Sequence, residues 1–188
     1  MTATSATTYL LTADELDGFP NDGKRREIIE GVLFVAAAPS LVHQETLGRL
    51  YKQVDALVGP LRLGRVFFAP IDVRFSNHDL VQPDIVFVRR ERREICRVNT
   101  IHGAPDLIIE VLSPSNRGYD LAEKLRLYER YLVPEYWVFD PERLTVAHFV
   151  LTDGRFVQVQ PVGGVYRSTV IAEFVVDPNV LFADLDAW

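Results

Sequence analysis

The sequence is poor in the residues that build several common kinds of site. It has one cysteine, Cys96, which leaves no partner for an internal disulfide. His43, His78, His102 and His148 lack paired ligand spacing and have no second cysteine to join them, which argues against a zinc cage. No apolar run approaches the ~18 residues of a membrane-spanning helix, so no membrane association is expected. Met1–Thr8 carry no basic side chain and no apolar core long enough for a secretory signal; they are expected to be a disordered tail, and the chain to be cytoplasmic. Positive charge is in deficit, with 20 Lys and Arg against 26 Asp and Glu and a formal charge of -6. That balance counts against a general polyanion-binding surface. Lysine is scarcest of all, since only Lys24, Lys52 and Lys124 stand beside seventeen arginines. Basic residues concentrate from Arg89 to Arg97, where five Arg outnumber two Glu.

What is present is ordinary for a globular chain: 48% hydrophobic and 24% charged residues over 188 positions predict one domain, residues 9–188, with a sizeable core. Thr12 before Ala13-Asp14-Glu15 predicts a short capped helix. Strands are expected at Glu27–Glu30 and Val32–Ala37 around Gly31. A helix is expected from about Leu41 to Val58, where Leu47, Leu50, Val54 and Leu57 recur at helical spacing and Gly59-Pro60 provides the stop. Arg65–Phe75 and Val81–Val88 are rich in β-branched and aromatic residues and predict two strands. Asp106–Leu112 is almost wholly aliphatic, as in a strand covered on both faces. A loop at Ser113-Pro114-Ser115, a helix from about Tyr119 to Tyr131 and a strand at Tyr136–Phe139 then complete a βαβ unit with parallel strands. Asp153-Gly154 between two further extended runs predicts a hairpin, and Val180-Leu181-Phe182 a closing helical turn. The fold class is therefore α/β with a mixed sheet.

Two acids break this pattern. Glu110 lies among Leu107, Ile108, Ile109, Val111 and Leu112, where an uncompensated polar group would cost roughly 2 kcal/mol or more. A bound cation, a basic side chain or protonation could compensate it, and the following helix offers Asp120 and Lys124 one turn apart. Asp84 presents the same mismatch within Val81-Gln82-Pro83-Asp84-Ile85-Val86-Phe87-Val88. Two buried strand acids point to a shared ligand, and Mg²⁺ is satisfied by one or two carboxylates with waters and substrate phosphate.

The chain resembles the Uma-two family of restriction-endonuclease-like proteins, a branch of the PD-(D/E)XK superfamily. The likeness rests on Glu27-Ile28-Ile29-Glu30-Gly31, Pro39-Ser40 with His43, Gln82-Pro83-Asp84, and the run from Pro105-Asp106 through Glu110 to Ser115. Asp120 with Lys124 and Tyr128, and Glu135-Tyr136-Trp137, extend it over most of the sequence. It implies a nuclease core with additional β-strands at both ends. Asp84, Glu110 and the Val111 carbonyl would bind Mg²⁺ or Mn²⁺, while a lysine orients or activates the attacking water. Leu112 occupies the usual lysine position, so Lys124 on the next helix is the candidate. Glu27 carries over as a further site acid, although Arg26 and Val32 replace the family's usual Tyr and acid beside that motif. DNA is the implied substrate, and a homodimer is a possible assembly.

Simpler readings exist for several of these residues. Lys124 could instead pair with Asp120 on a solvated helix face. His43 reads as a helix-start or core-edge residue, Arg89–Arg97 as a solvated loop, and Tyr136 and Trp137 as core. The two expectations for the whole are a metal-dependent endodeoxyribonuclease, or a nuclease-like binding or regulatory module without turnover.

Overall fold

The computed structural model describes residues 9–20, 22–36, 38–113, 118 and 120–185, without the side chains of Asp17, Asp120 and Leu121. The expected Met1–Thr8 tail, the Pro114-Ser115 loop, the helix start at Tyr119 and the proposed Asp120–Lys124 pair lie outside the described residues.

The elements run β1 (Arg25–Ile29), β2 (Val32–Ala36), α1 (Leu41–Leu61), β3 (Gly64–Phe68), β4 (Asp72–Arg74), β5 (Leu80–Val81) and β6 (Ile85–Arg89). They continue with β7 (Thr100–His102), β8 (Leu107–Val111), α2 (Leu125–Arg130), β9 (Glu135–Asp140), β10 (Thr145–Thr152), β11 (Arg155–Val159), β12 (Tyr166–Arg167), β13 (Val175–Val176) and α3 (Pro178–Leu181). A six-stranded sheet has the order β11-β10-β9-β8-β6-β3, and a five-stranded sheet the order β2-β1-β5-β4-β7. Both are mixed: β8–β9 and β4–β7 pair in parallel, and the other neighbours are antiparallel. The parallel β8–β9 pair and the β10–β11 hairpin around Asp153-Gly154 agree with the sequence pattern. No described helix is long and apolar enough to cross a membrane.

Strand alternation divides the core. Ile85, Phe87, Leu107, Ile109, Val111, Trp137 and Phe139 turn to the face covered by Leu47, Leu50, Val54 and Val58 of α1. Val86, Val88, Ile108, Leu112, Tyr136 and Val138 turn the other way, against Leu127 and Tyr128 of α2 and the five-stranded sheet. Glu110, between Ile109 and Val111 in sequence, therefore projects on the α2 side. This packing carries its carboxylate toward that helix.

Three expected elements differ. The single strand Arg65–Phe75 is two strands in different sheets, divided at Pro70, and Val81–Val88 is two strands divided at Gln82-Pro83-Asp84. Proline has no N–H to donate to a ladder, and each interruption contains one. The first helix continues through Gly59-Pro60 to Leu61, because a proline in the last turn removes only one donor before the helix ends. Its end is set by Arg62 in the left-handed region, φ 53 and ψ 35, with the Leu63 amide donating to the Val58 carbonyl.

Candidate active site

The geometry begins with Glu110 on β8, which is 1% exposed, and with the helical segment that faces it. A π-helical turn, Asp120–Lys124, leads into α2, and such turns are frequent where a helix places a functional side chain. Lys124 and Tyr128 are four residues apart and so share a face. Lys124 Nζ donates to Glu110 Oε1 at 2.8 Å, and Tyr128 Oη donates to the same oxygen at 2.8 Å. Lys124 also reaches Glu27 Oε1 at 3.1 Å and is itself 1% exposed. A lysine without paired acids would not be held at that depth.

Asp84 occupies the break between β5 and β6, where Pro83 ends the ladder and frees the following side chain to turn inward. Its Oδ2 accepts the Val111 amide at 2.8 Å and stands 3.3 Å from His43 Nε2; its Oδ1 accepts Arg25 Nη1 at 3.0 Å. Ser40 caps α1 by accepting the His43 amide, which fixes the first turn and brings the imidazole to Asp84. Arg25 and Glu27 alternate on β1 and hence share a face. Arg25 Nη2 donates to Glu27 Oε1 at 3.0 Å and lies 3.7 Å from Glu110 Oε2. The Gln82 amide completes the Glu27 shell at 2.8 Å.

Among the described residues, these three buried carboxylates share two permanent cations, Arg25 and Lys124. Burial alone would raise the Asp84 carboxyl. The hydrogen bond from His43 and the charges of Arg25, His43 and Lys124 outweigh it and hold the group below the ordinary aspartate range. Glu27 is also held low, because Lys124, Arg25 and the Gln82 amide outweigh its burial. Burial pushes the Tyr128 phenol well above its ordinary range, and Glu110 pushes it further, so Tyr128 remains a donor.

Asp84, Glu110, Val111, His43 and Arg25 line a cleft of about 1020 Å³, whereas Lys124 and Glu27 stand behind its wall. Among the described residues no three His, Cys, Asp or Glu side chains form a ready-made metal cage. The oxygen donors of Asp84 and Glu110 nevertheless suit a hard divalent cation, which characteristically retains waters and uses few protein ligands.

The four acids and bases singled out in the sequence, Glu27, Asp84, Glu110 and Lys124, come together, with Val111 beside them. Lys124 serves the buried carboxylates. His43 stands in the first turn of α1, in keeping with its reading as a helix-start residue, and from there it joins the cluster, because α1 enters directly over Asp84. Arg25 and Tyr128 had no assigned role. The same-face spacing of Arg25 with Glu27 and of Tyr128 with Lys124 was the available signal for each.

The chain matches the Uma2 family, described as "Putative restriction endonuclease", over residues 13–175. Among solved structures, one from Anabaena variabilis described as a "putative nuclease" superposes with a TM-score of 0.77 at 23% sequence identity, covering 93% of this chain and 99% of that one. At that identity the likeness speaks for the fold. Among curated proteins, none is significantly similar in sequence. With most of its length inside the match, this chain belongs to the Uma2 family.

Proposed function

We propose that this protein is a metal-dependent endonuclease that hydrolyses DNA phosphodiester bonds, with Asp84, Glu110 and the Val111 carbonyl holding Mg²⁺ or Mn²⁺. The main support is the convergence of Asp84 and Glu110 on one cleft, with Lys124, from the turn that leads into α2, buried against Glu110 and Glu27 behind its wall. A metal bound here would make attached water more acidic and neutralise charge building on the phosphate. Asp84 is held ionised and oriented by the Val111 amide, ready to act as an oxygen ligand. Lys124 and Tyr128 fix the Glu110 carboxylate from behind, leaving its other oxygen toward Arg25. Glu27 anchors both cations, and His43 brings a second polar group to the cleft. In plasmid nicking with Mg²⁺ or Mn²⁺, wild type should cleave, whereas Asp84→Ala and Glu110→Ala should not. Equal cleavage by all three would sink the assignment.

One observation favours a second reading, a binding module without turnover. The Arg25 guanidinium already supplies positive charge to the three acids that a metal would otherwise balance. Calorimetry with Mn²⁺ separates the readings: a folded protein that takes up no metal would be the binding module.

A further inference from the structure

A second cleft, of about 470 Å³, lies at the other end of α1 and is built on a different electrostatic plan. Its nine lining residues include Arg62, Arg65, Arg89, Arg90 and Arg93 and no acid. Arg89 is 3.6 Å from Asp106, but Arg62, Arg65, Arg90 and Arg93 make no side-chain ion pair or hydrogen bond among the described residues. In a chain with six more acids than bases, four unpaired arginines facing one cavity depart from the average surface.

Local structure assembles them. Gly64 pairs with Arg89, and a Cβ at Gly64 would stand 2.0 Å from the Val88 carbonyl oxygen, so the glycine permits the close approach of β3 to β6 there. The Arg90 amide donates to the Leu63 carbonyl, docking the 3₁₀ helix Arg90–Ile95 against the end of α1. The stretch read as a solvated loop is largely exposed, with 3₁₀ turns kinked at Arg92 in place of irregular chain. Arg62 holds the left-handed position that ends α1, where glycine is the usual residue. A locally disfavoured residue that adds charge to a cleft marks a position where function can outweigh propensity.

We propose that this arginine cleft is a second binding site, taking phosphoryl groups of a nucleic-acid backbone. Guanidinium groups are always charged and offer paired donors to phosphate oxygens. The cleft is distinct from the acidic one: β3 and β6 separate them by about 14 Å of strand, and α1 by about 24 Å between His43 and Gly59. One strand of a duplex carries a phosphate every ~3.4 Å of axis, so the separation corresponds to about four to seven nucleotides. A duplex engaged at the acidic cleft has phosphates at such distances. The identity of the ligand rests on the proposed action on DNA, while the capacity for phosphate does not.

The test is binding of a fluorescent DNA duplex to the whole chain in EDTA, across a salt series, with calorimetry of pyrophosphate in parallel. Arg65→Gln with Arg93→Gln should weaken duplex binding at least tenfold at low salt and flatten the log–log salt slope by about 2. The corresponding double Lys variant should keep the slope. Arg62→Gly should also weaken binding while raising the thermal midpoint, opposite shifts that a merely structural Arg62 would not produce. Unchanged duplex affinity and slope in the Gln pair would overturn the proposal. Loss of pyrophosphate binding alone, with the duplex unaffected, would overturn the nucleic-acid assignment. Arginine-dependent binding by a wild type that fails to cleave would retire the hydrolytic reading alone. Conversely, Asp84-dependent cleavage with arginine-independent binding would retire this one alone.

Discussion

The two ends of α1 handle charge in opposite ways. At its start, Asp84, Glu110 and Glu27 are walled in and each carboxylate is answered by a cation or a backbone amide. At its end, arginines stand in solvent, and four have no side-chain ion pair or hydrogen bond among the described residues. Water explains the contrast. An exposed guanidinium is hydrated and needs no protein partner, whereas a buried carboxylate without one loses several kcal/mol of solvation. The acidic cleft is therefore preset, with its geometry enforced by the fold, and the arginine cleft keeps its charge available for a ligand. Perturbing the first should cost stability; perturbing the second should not.

The largest expected effect breaks the buried network. Lys124→Ala takes from Glu110 and Glu27 the more deeply buried of the two cations they share, leaving Arg25, and removal of one partner from such a buried set costs about 3–5 kcal/mol. Urea denaturation should show the midpoint falling accordingly. A loss below about 1 kcal/mol would mean that water reaches the lysine and that the two clefts differ less than their burial implies.

Acid should act next, and on the same end. Asp84 and Glu27 both have folded-state values below their ordinary ones, so the unfolded chain binds protons more readily than the folded one. Their contribution is present above the unfolded value, near pH 4, and is lost as pH falls through the depressed folded values. Unfolding free energy should fall steadily below about pH 4 in wild type, and less steeply in Asp84→Asn. Parallel pH curves for the two proteins would show that Asp84 is not the group holding the charge.

How much of this contrast was legible before the structure follows from what each residue depends on. Glu110 declared itself, because a charge inside Leu107–Leu112 conflicts with its own strand. Asp84 showed the same mismatch within Val81–Val88 and leaned more on the resemblance carried by Gln82-Pro83-Asp84. The partner of Lys124 was ambiguous, since Asp120 is near in sequence whereas Glu110 becomes near only when α2 packs on β8. Arg25 lies fifty-nine residues from Asp84, and their meeting depends on β1 lying beside β5, a register that local pattern does not encode. The arginine stretch was visible as composition, but the contribution of Arg62 and Arg65 required the turn at the end of α1. The two prolines that divide the expected long strands mattered more than the β-propensity around them.

A smaller effect sharpens the comparison within the acidic end. Tyr128→Phe removes one hydroxyl that donates to Glu110 Oε1 but leaves Lys124 on the same oxygen. The expected cost is about 1–2 kcal/mol, below that of Lys124→Ala, because the acceptor keeps its charged donor. A cost equal to that of the lysine variant would show that the hydroxyl, and not the ammonium, holds the carboxylate.

The smallest effect belongs to the other end. Arg65→Gln and Arg93→Gln each remove an exposed guanidinium with no described partner, and such surface changes usually fall within about 0.5 kcal/mol. Relief of like-charge crowding should place them at zero or slightly above, and more so at low salt, where screening is weakest. The check is the denaturation midpoint of each single variant at two ionic strengths. A loss above about 1 kcal/mol would mean that these arginines have structural partners after all, and the free charge that separates the two ends of α1 would disappear with them.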